Sequence, residues 1–320
     1  MEPSTIKNQE TLNGFEMLRQ VRSVENTFFN HAVIKTRNGM ENRYNNIRAS
    51  LDFTPAMVEF VGKKEDIVAK HFPNGMKNVE PEQELACRQE IERFTEAHGD
   101  LITGRIRQVD TYRAMLRSDN EVNLHMIPLT ERYIPENITI ADLFNAGIII
   151  NWDVCEFPGM FPKATFSLSP KVIMAVFNDI GKVHNIKFAE GTPTLPIVIA
   201  IAGNFWTIYK ERMAIMLDPV YVEWLEKFDA KRVQILEKHA AKDIYGDPVK
   251  RGNEYQIDNP DAYEIEIKAL EESVHDIVEA KNALMNEERQ LTLYSIPLES
   301  LPTNLATGPA EVLFRFVKED

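Results

Sequence analysis

The chain has 320 residues, enough for two compact units or one large one, with 44% hydrophobic and 27% charged residues. That balance supports an ordinary packed core and excludes collagen-like, low-complexity and disulfide-scaffold classes. The formal net charge is −13, so as a whole the protein is repelled by nucleic acid and by anionic membranes unless a local basic patch intervenes.

The two cysteines, Cys87 and Cys155, lie far apart without CxxC spacing, which fits two reduced thiols and no zinc site. The first residues, Met1-Glu2-Pro3-Ser4, lack the basic and apolar regions of a secretory signal. Asn137-Ile138-Thr139 is therefore a glycosylation triplet by letter only. A cytoplasmic setting, or the interior of a virion, is expected. The acidic, asparagine- and methionine-rich texture suggests a phage-encoded component.

Residues 1–12 are polar and expected to be a flexible tail. A helical pattern runs from Phe15 to about Asn46, with an interruption expected at Asn38-Gly39. Thr54-Pro55 predicts an N-cap and a proline in the first helical turn, and His71 to Gly75 predicts its stop. From Pro81 a helix with acids in its first turn and Arg113 and Arg117 in its last is expected, bent near Gly99 and Gly104. Its inward stripe is expected to run from Ile91 through Phe94, His98, Ile102, Ile106 and Val109 to Leu116.

From Asn120 the texture changes to short apolar runs bounded by turn residues. These predict strands at Val122–Ile127, Ile148–Val154, Ala164–Leu168, Ile186–Ala189 and Ile197–Ala202. The run Leu195–Tyr209 is shorter than the ~20 residues of a membrane span, and a buried strand turning at Gly203-Asn204 is the expectation. Ser169-Pro170 predicts a capped helix.

Asp218-Pro219 opens another helix, to about Tyr245, and Pro260-Asp261 opens a second after a polar connection. The seam of the second reads Tyr263, Ile267, Leu270, Val274, Ile277 and Leu284, alternating four and three. Each helix would extend roughly 40 Å at 1.5 Å per residue, so an antiparallel helical hairpin follows. Two last strands, Leu291–Ile296 and Val312–Val317, would return to the body. The expected fold class is α+β and helix-dominated: a flexible tail (1–12), a helical N-terminal region (13–119), a central β-containing body (120–217 with 291–320) and the hairpin (218–290).

Candidate chemistry is sparse. Glu272 and His275 share a helix face at i, i+3, as in di-iron carboxylate bundles, but the second such pair is missing. Glu266-Ile267-Lys268, with Asp261 nearby, resembles the ExK element of metal-dependent nucleases when drawn as a strand, in which carboxylates hold a divalent ion and the lysine orients water. The seven histidines are scattered. No GxSxG, GxGxxG or Walker A string occurs, so no glycine-rich nucleotide loop and no cofactor is expected.

Charge is distributed unevenly. Arg19, Arg22, Lys35, Arg37, Arg43 and Arg48 are interleaved with Phe28, Phe29 and Tyr44, a mixture able to meet phosphates and stack on bases. The last long helix is acidic, with Glu264, Glu271, Glu272, Asp276 and Glu279 outnumbering Lys268 and Lys281. A non-enzymatic assembly protein is the expectation, contacting copies of itself or another protein through the hairpin seam and the opposed charge patches. A metal-dependent nuclease or hydrolase, and a nucleic-acid-binding module using residues 19–48, are the alternatives.

Overall fold

A computed structural model describes residues 4–22, 24–73, 81–157, 159–183, 186, 194–243, 248–251, 254–302 and 305–317. The fold is α+β and helix-dominated. In chain order its elements begin with β1 (Ser4–Lys7), α1 (Asn8–Gln20), α2 (Thr27–Ala49), α3 (Pro55–His71), α4 (Pro81–Ala97) and α5 (Gly99–Arg117). There follow β2 (Asp119–Val122), β3 (Ile127–Leu129), α6 (Ile140–Asn145), β4 (Ile150–Cys155), β5 (Lys163–Leu168), α7 (Pro170–Asp179) and α8 (Thr194–Leu217). The last are α9 (Pro219–Trp224), α10 (Ala230–His239), β6 (Lys250–Arg251), β7 (Glu254–Tyr255), α11 (Pro260–Ser273), α12 (His275–Asn286), β8 (Arg289–Tyr294) and α13 (Thr307–Leu313). The strands pair only two at a time: β1 with β2, β5 with β8 and β6 with β7 antiparallel, β3 with β4 parallel.

The chain divides into two compact units. The first comprises residues 1–47, 115–221 and 282–320, the second 48–114 and 222–281.

The first unit is built round α8, a 24-residue helix. Ile199, Ala200, Ile201, Ala202, Phe205 and Ile208 on it are wholly buried, together with Leu143, Ile149, Ile173 and Phe316 from other elements. The strand expected at Ile197–Ala202 is thus a helix. A helix covered on all sides has no polar face, so its sequence is a continuous apolar run like that of a buried strand. The supposed turn has a different use. A Cβ on Gly203 would stand 3.0–3.1 Å from the rings of Tyr294 and Trp152, so the absent side chain lets those rings approach the helix. Buried Asn204 accepts a hydrogen bond from the Tyr294 backbone N–H (2.7 Å) and donates one to the Tyr294 carbonyl (2.9 Å). One side chain thus satisfies both backbone groups that β8 turns toward α8.

Other expectations need correction. Residues 4–12 are not a tail: Ser4–Lys7 pairs with β2, and buried Asn8 donates to the Met115 carbonyl and the Ser118 hydroxyl, both at 2.9 Å. α2 runs unbroken through Asn38-Gly39, and the chain leaves helix instead between Gln20 and Thr27. The Val312–Val317 run is the end of α13 and a 3-10 turn, not a strand; Phe316 enters the core and its carbonyl accepts from the Ile296 N–H at 3.0 Å. Ile186 carries no strand assignment, and the remainder of the strand expected at Ile186–Ala189 lies outside the described residues.

In the second unit, Thr54 accepts from Met57 N–H at the start of α3 (3.2 Å), as its Thr-Pro signature requires. The helix expected from Pro81 is two, α4 and α5, separated at His98. The His98 ring bonds the Phe94 carbonyl at 2.8 Å and packs on Phe94 and Phe60. The small core of this region is Val68, Phe72, Cys87 and Ile91. The inward stripe expected along α5 is not buried: no residue of that 19-residue helix is.

Candidate functional site

The hairpin expected from the seam is present in the second unit. Asp218 Oδ1 accepts from Val220 N–H at 2.9 Å to start α9, and Asn259 Oδ1 accepts from Ala262 N–H at 3.1 Å to start α11. α10 and α11 pack side by side. Between α9 and α10 the backbone widens into a π-helical turn, Leu225–Asp229. Opposite it, α11 and α12 are separated at Val274, which leaves helical geometry (φ −127°, ψ 27°).

The two irregularities meet. Phe228 from the π turn is buried against Leu270 and Val274, and Trp224, Ile235, Ile277 and Val278 pack around them. The π turn in one helix thereby faces the interruption in the other. The Lys281 ammonium lies 4.6 Å from the centre of the Trp224 ring on the same seam.

The connected end of the hairpin is tied by charge. Glu266 on α11 bonds Lys238 and lies 3.3 Å from His239 Nε2, both at the end of α10. The Lys238 hydrogen bond holds the Glu266 carboxyl below its ordinary value of 4.5; partial burial opposes this and His239 adds to it. The connection beyond is anchored to α4 through Arg88, which donates to the Lys242 carbonyl at 2.9 Å and pairs with Glu84 at 3.0 Å.

Of the expected seam residues, Leu270 and Val274 are buried, while Tyr263, Ile267, Ile277 and Leu284 are half-covered. α10 and α12 contain no buried residue. On the outer side of α11, Ile265 is 68% exposed. Close to the Val274 break, Lys268, Glu271, Glu272 and His275 line an open groove of about 430 Å³.

The nuclease arrangement requires a strand at Glu266–Lys268, and the residues are helical. At about 100° per residue, Glu266 and Lys268 diverge by roughly 160°. Glu266 is held by Lys238 and His239, and Lys268 pairs with Glu264 at 2.9 Å. Asp261 shares the Lys268 side of the helix, two turns away at roughly 10 Å along the axis. The three are not brought together. Glu272 and His275 lie on either side of the helix break, and His275 Nε2 is 3.3 Å from Glu279 instead. Among the described residues no group of three or more His, Cys, Asp or Glu side chains is placed to hold a metal ion.

The basic segment is partly consumed by the first unit. Arg43 Nε donates to buried Asn8 at 2.8 Å, Arg22 Nε lies 3.9 Å from buried Asp142, and Arg19 lies 3.6 Å from Glu16. Lys35 is exposed, Arg37 is half-covered and Arg48 is exposed. The aromatic side chains expected to stack on bases are occupied. Phe29 is wholly buried, Tyr44 is buried and stacked on Phe15 with ring centres 4.1 Å apart, and Phe28 is capped by Arg132 at 4.5 Å. The sequence shows that these residues alternate; it does not show that Phe29 and Tyr44 face inward on α2.

Among the described residues, no helix is long and apolar enough to cross a membrane. Comparison with known proteins finds no matching family model, no matching curated protein and no matching solved structure.

Proposed function

We propose that this chain is a non-enzymatic structural or assembly protein whose helical hairpin unit makes contacts with another molecule, in the first instance a second copy of the chain. The observation that carries the reading is incomplete burial. α5, α10 and α12 hold 19, 10 and 12 residues and none of them is buried, although each carries apolar residues at helical spacing. An amphipathic helix draws most of its stability from covering such a stripe, so half-covered stripes call for a partner surface. Charge supports the same reading: α11 and α12 are strongly acidic and α5 is basic, so one copy offers both halves of a complementary contact.

The test is the mass of the purified full chain in solution across a wide concentration range. Association that grows with concentration and weakens with added salt is the expected result. A strict monomer at the highest concentration reached overturns self-assembly.

A further inference from the structure

The assembly reading leaves open which surfaces meet, and two exposed helix faces of the second unit carry matching patterns. On α5, Ile106 is 56% exposed, and Asp110 and Arg113 follow it on the same face at four and seven residues. On α11, Ile265 is 68% exposed, and Lys268 and Glu272 follow it on the same face at three and seven residues. A large exposed isoleucine heads each face, and the charges behind it are reversed between the two.

The geometry points to a head-to-tail contact in which the α5 face of one copy docks on the α11 face of the next, with the two helices running in the same direction. This rests on the assembly reading and specifies its interface. Laying Ile106 against Ile265 in that direction brings Asp110 opposite Lys268 and Arg113 opposite Glu272. The reverse direction would set Asp110 against Asp261, two like charges, and is disfavoured.

Among the described residues these charges make exposed local pairs, Arg113 with Asp110 at 3.3 Å and Lys268 with Glu264 at 2.9 Å. Exposed pairs of this kind contribute little to the monomer, so exchanging them for pairs across an interface costs little. Glu272 also lines the open groove at the helix break, which leaves room for an incoming arginine. The two faces are different patches, so the contact is made twice about a two-fold axis, closes into a larger ring or continues as a filament.

Charge exchange in the full chain tests this, with mass across concentration as the readout. Glu272→Arg alone and Arg113→Glu alone each set like charges against each other and should weaken association at least about tenfold. The double variant restores opposite charges and should recover to within about threefold of the unsubstituted chain. An equimolar mixture of the two single variants should also associate, because each supplies the complement the other lacks. Circular dichroism of each variant checks that the helices remain. If the unsubstituted chain associates and the double variant is no better than the singles, this interface is wrong while the assembly reading survives. If the unsubstituted chain stays monomeric, both fall together.

Discussion

The first unit surrounds its central helix on every side: α8 buries residues all round its circumference and spends even a glycine and an asparagine on contacts with β8. The second unit arranges shorter helices around two small clusters, Val68–Phe72–Cys87–Ile91 and Phe228–Leu270–Val274, and leaves α5, α10 and α12 half-covered. The same chain therefore contains one region with a large continuous core and one with two small clusters. On the proposed reading the difference corresponds to two roles: a stable body, and a surface whose remaining apolar area is available to another molecule.

Substitutions should separate the two. The largest effect is expected from Phe205→Ala, which empties a wholly buried site in the first unit and should cost about 3–5 kcal/mol in denaturant unfolding. An effect close to 1 kcal/mol would show that the first core is less continuous than described. Next is Asn204→Ala, which strands the Tyr294 N–H and carbonyl without their partner and should cost about 2–4 kcal/mol. Leu270→Ala, in the smaller cluster, should cost about 2 kcal/mol, with faster amide exchange confined to the hairpin.

Acid should act on the two regions at different pH. Burial first, then His31 and Lys35, hold His125 in the first unit below its ordinary value of 6.5. The unfolded chain takes that proton more readily, so the contribution is complete above 6.5 and is lost as the pH falls below it. In the hairpin, Glu266 is held below 4.5; its contribution is complete above that value and is lost as the pH falls through the depressed one. Residue-resolved exchange should show protection around His125 declining first on acidification and that at the α10–α11 junction later. The smallest expected effect is that of Ile265→Ser on the isolated chain, below about 0.5 kcal/mol, because the side chain is exposed. A larger cost in dilute solution would mean that the α11 face is already covered.

Much of this was legible in the sequence wherever a local rule governs. Thr54-Pro55, Ser169-Pro170, Asp218-Pro219 and Pro260-Asp261 all open helices, because capping and the fixed φ of proline act within one turn. The alternating seam located the hairpin. Its mid-point was not legible: the π turn at Leu225–Asp229 and the break at Val274 pack together across two helices, and neither sequence carries a breaker there. α8 was hidden for the opposite reason. Burial on all sides erased its periodicity, and Gly203-Asn204, which resembles a turn, serves packing against Tyr294 and Trp152. The basic segment was legible as composition, but which of its aromatic residues faced solvent depended on the packing of α2.

Amide hydrogen exchange of α5 and α11 measured at several protein concentrations tests the incomplete-burial claim most directly. Protection of both helices should be weak in dilute solution and should rise together as concentration increases, while α8 stays protected throughout. Strong protection of α5 and α11 that is the same at every concentration would show the second unit to be complete alone, and would contradict the account.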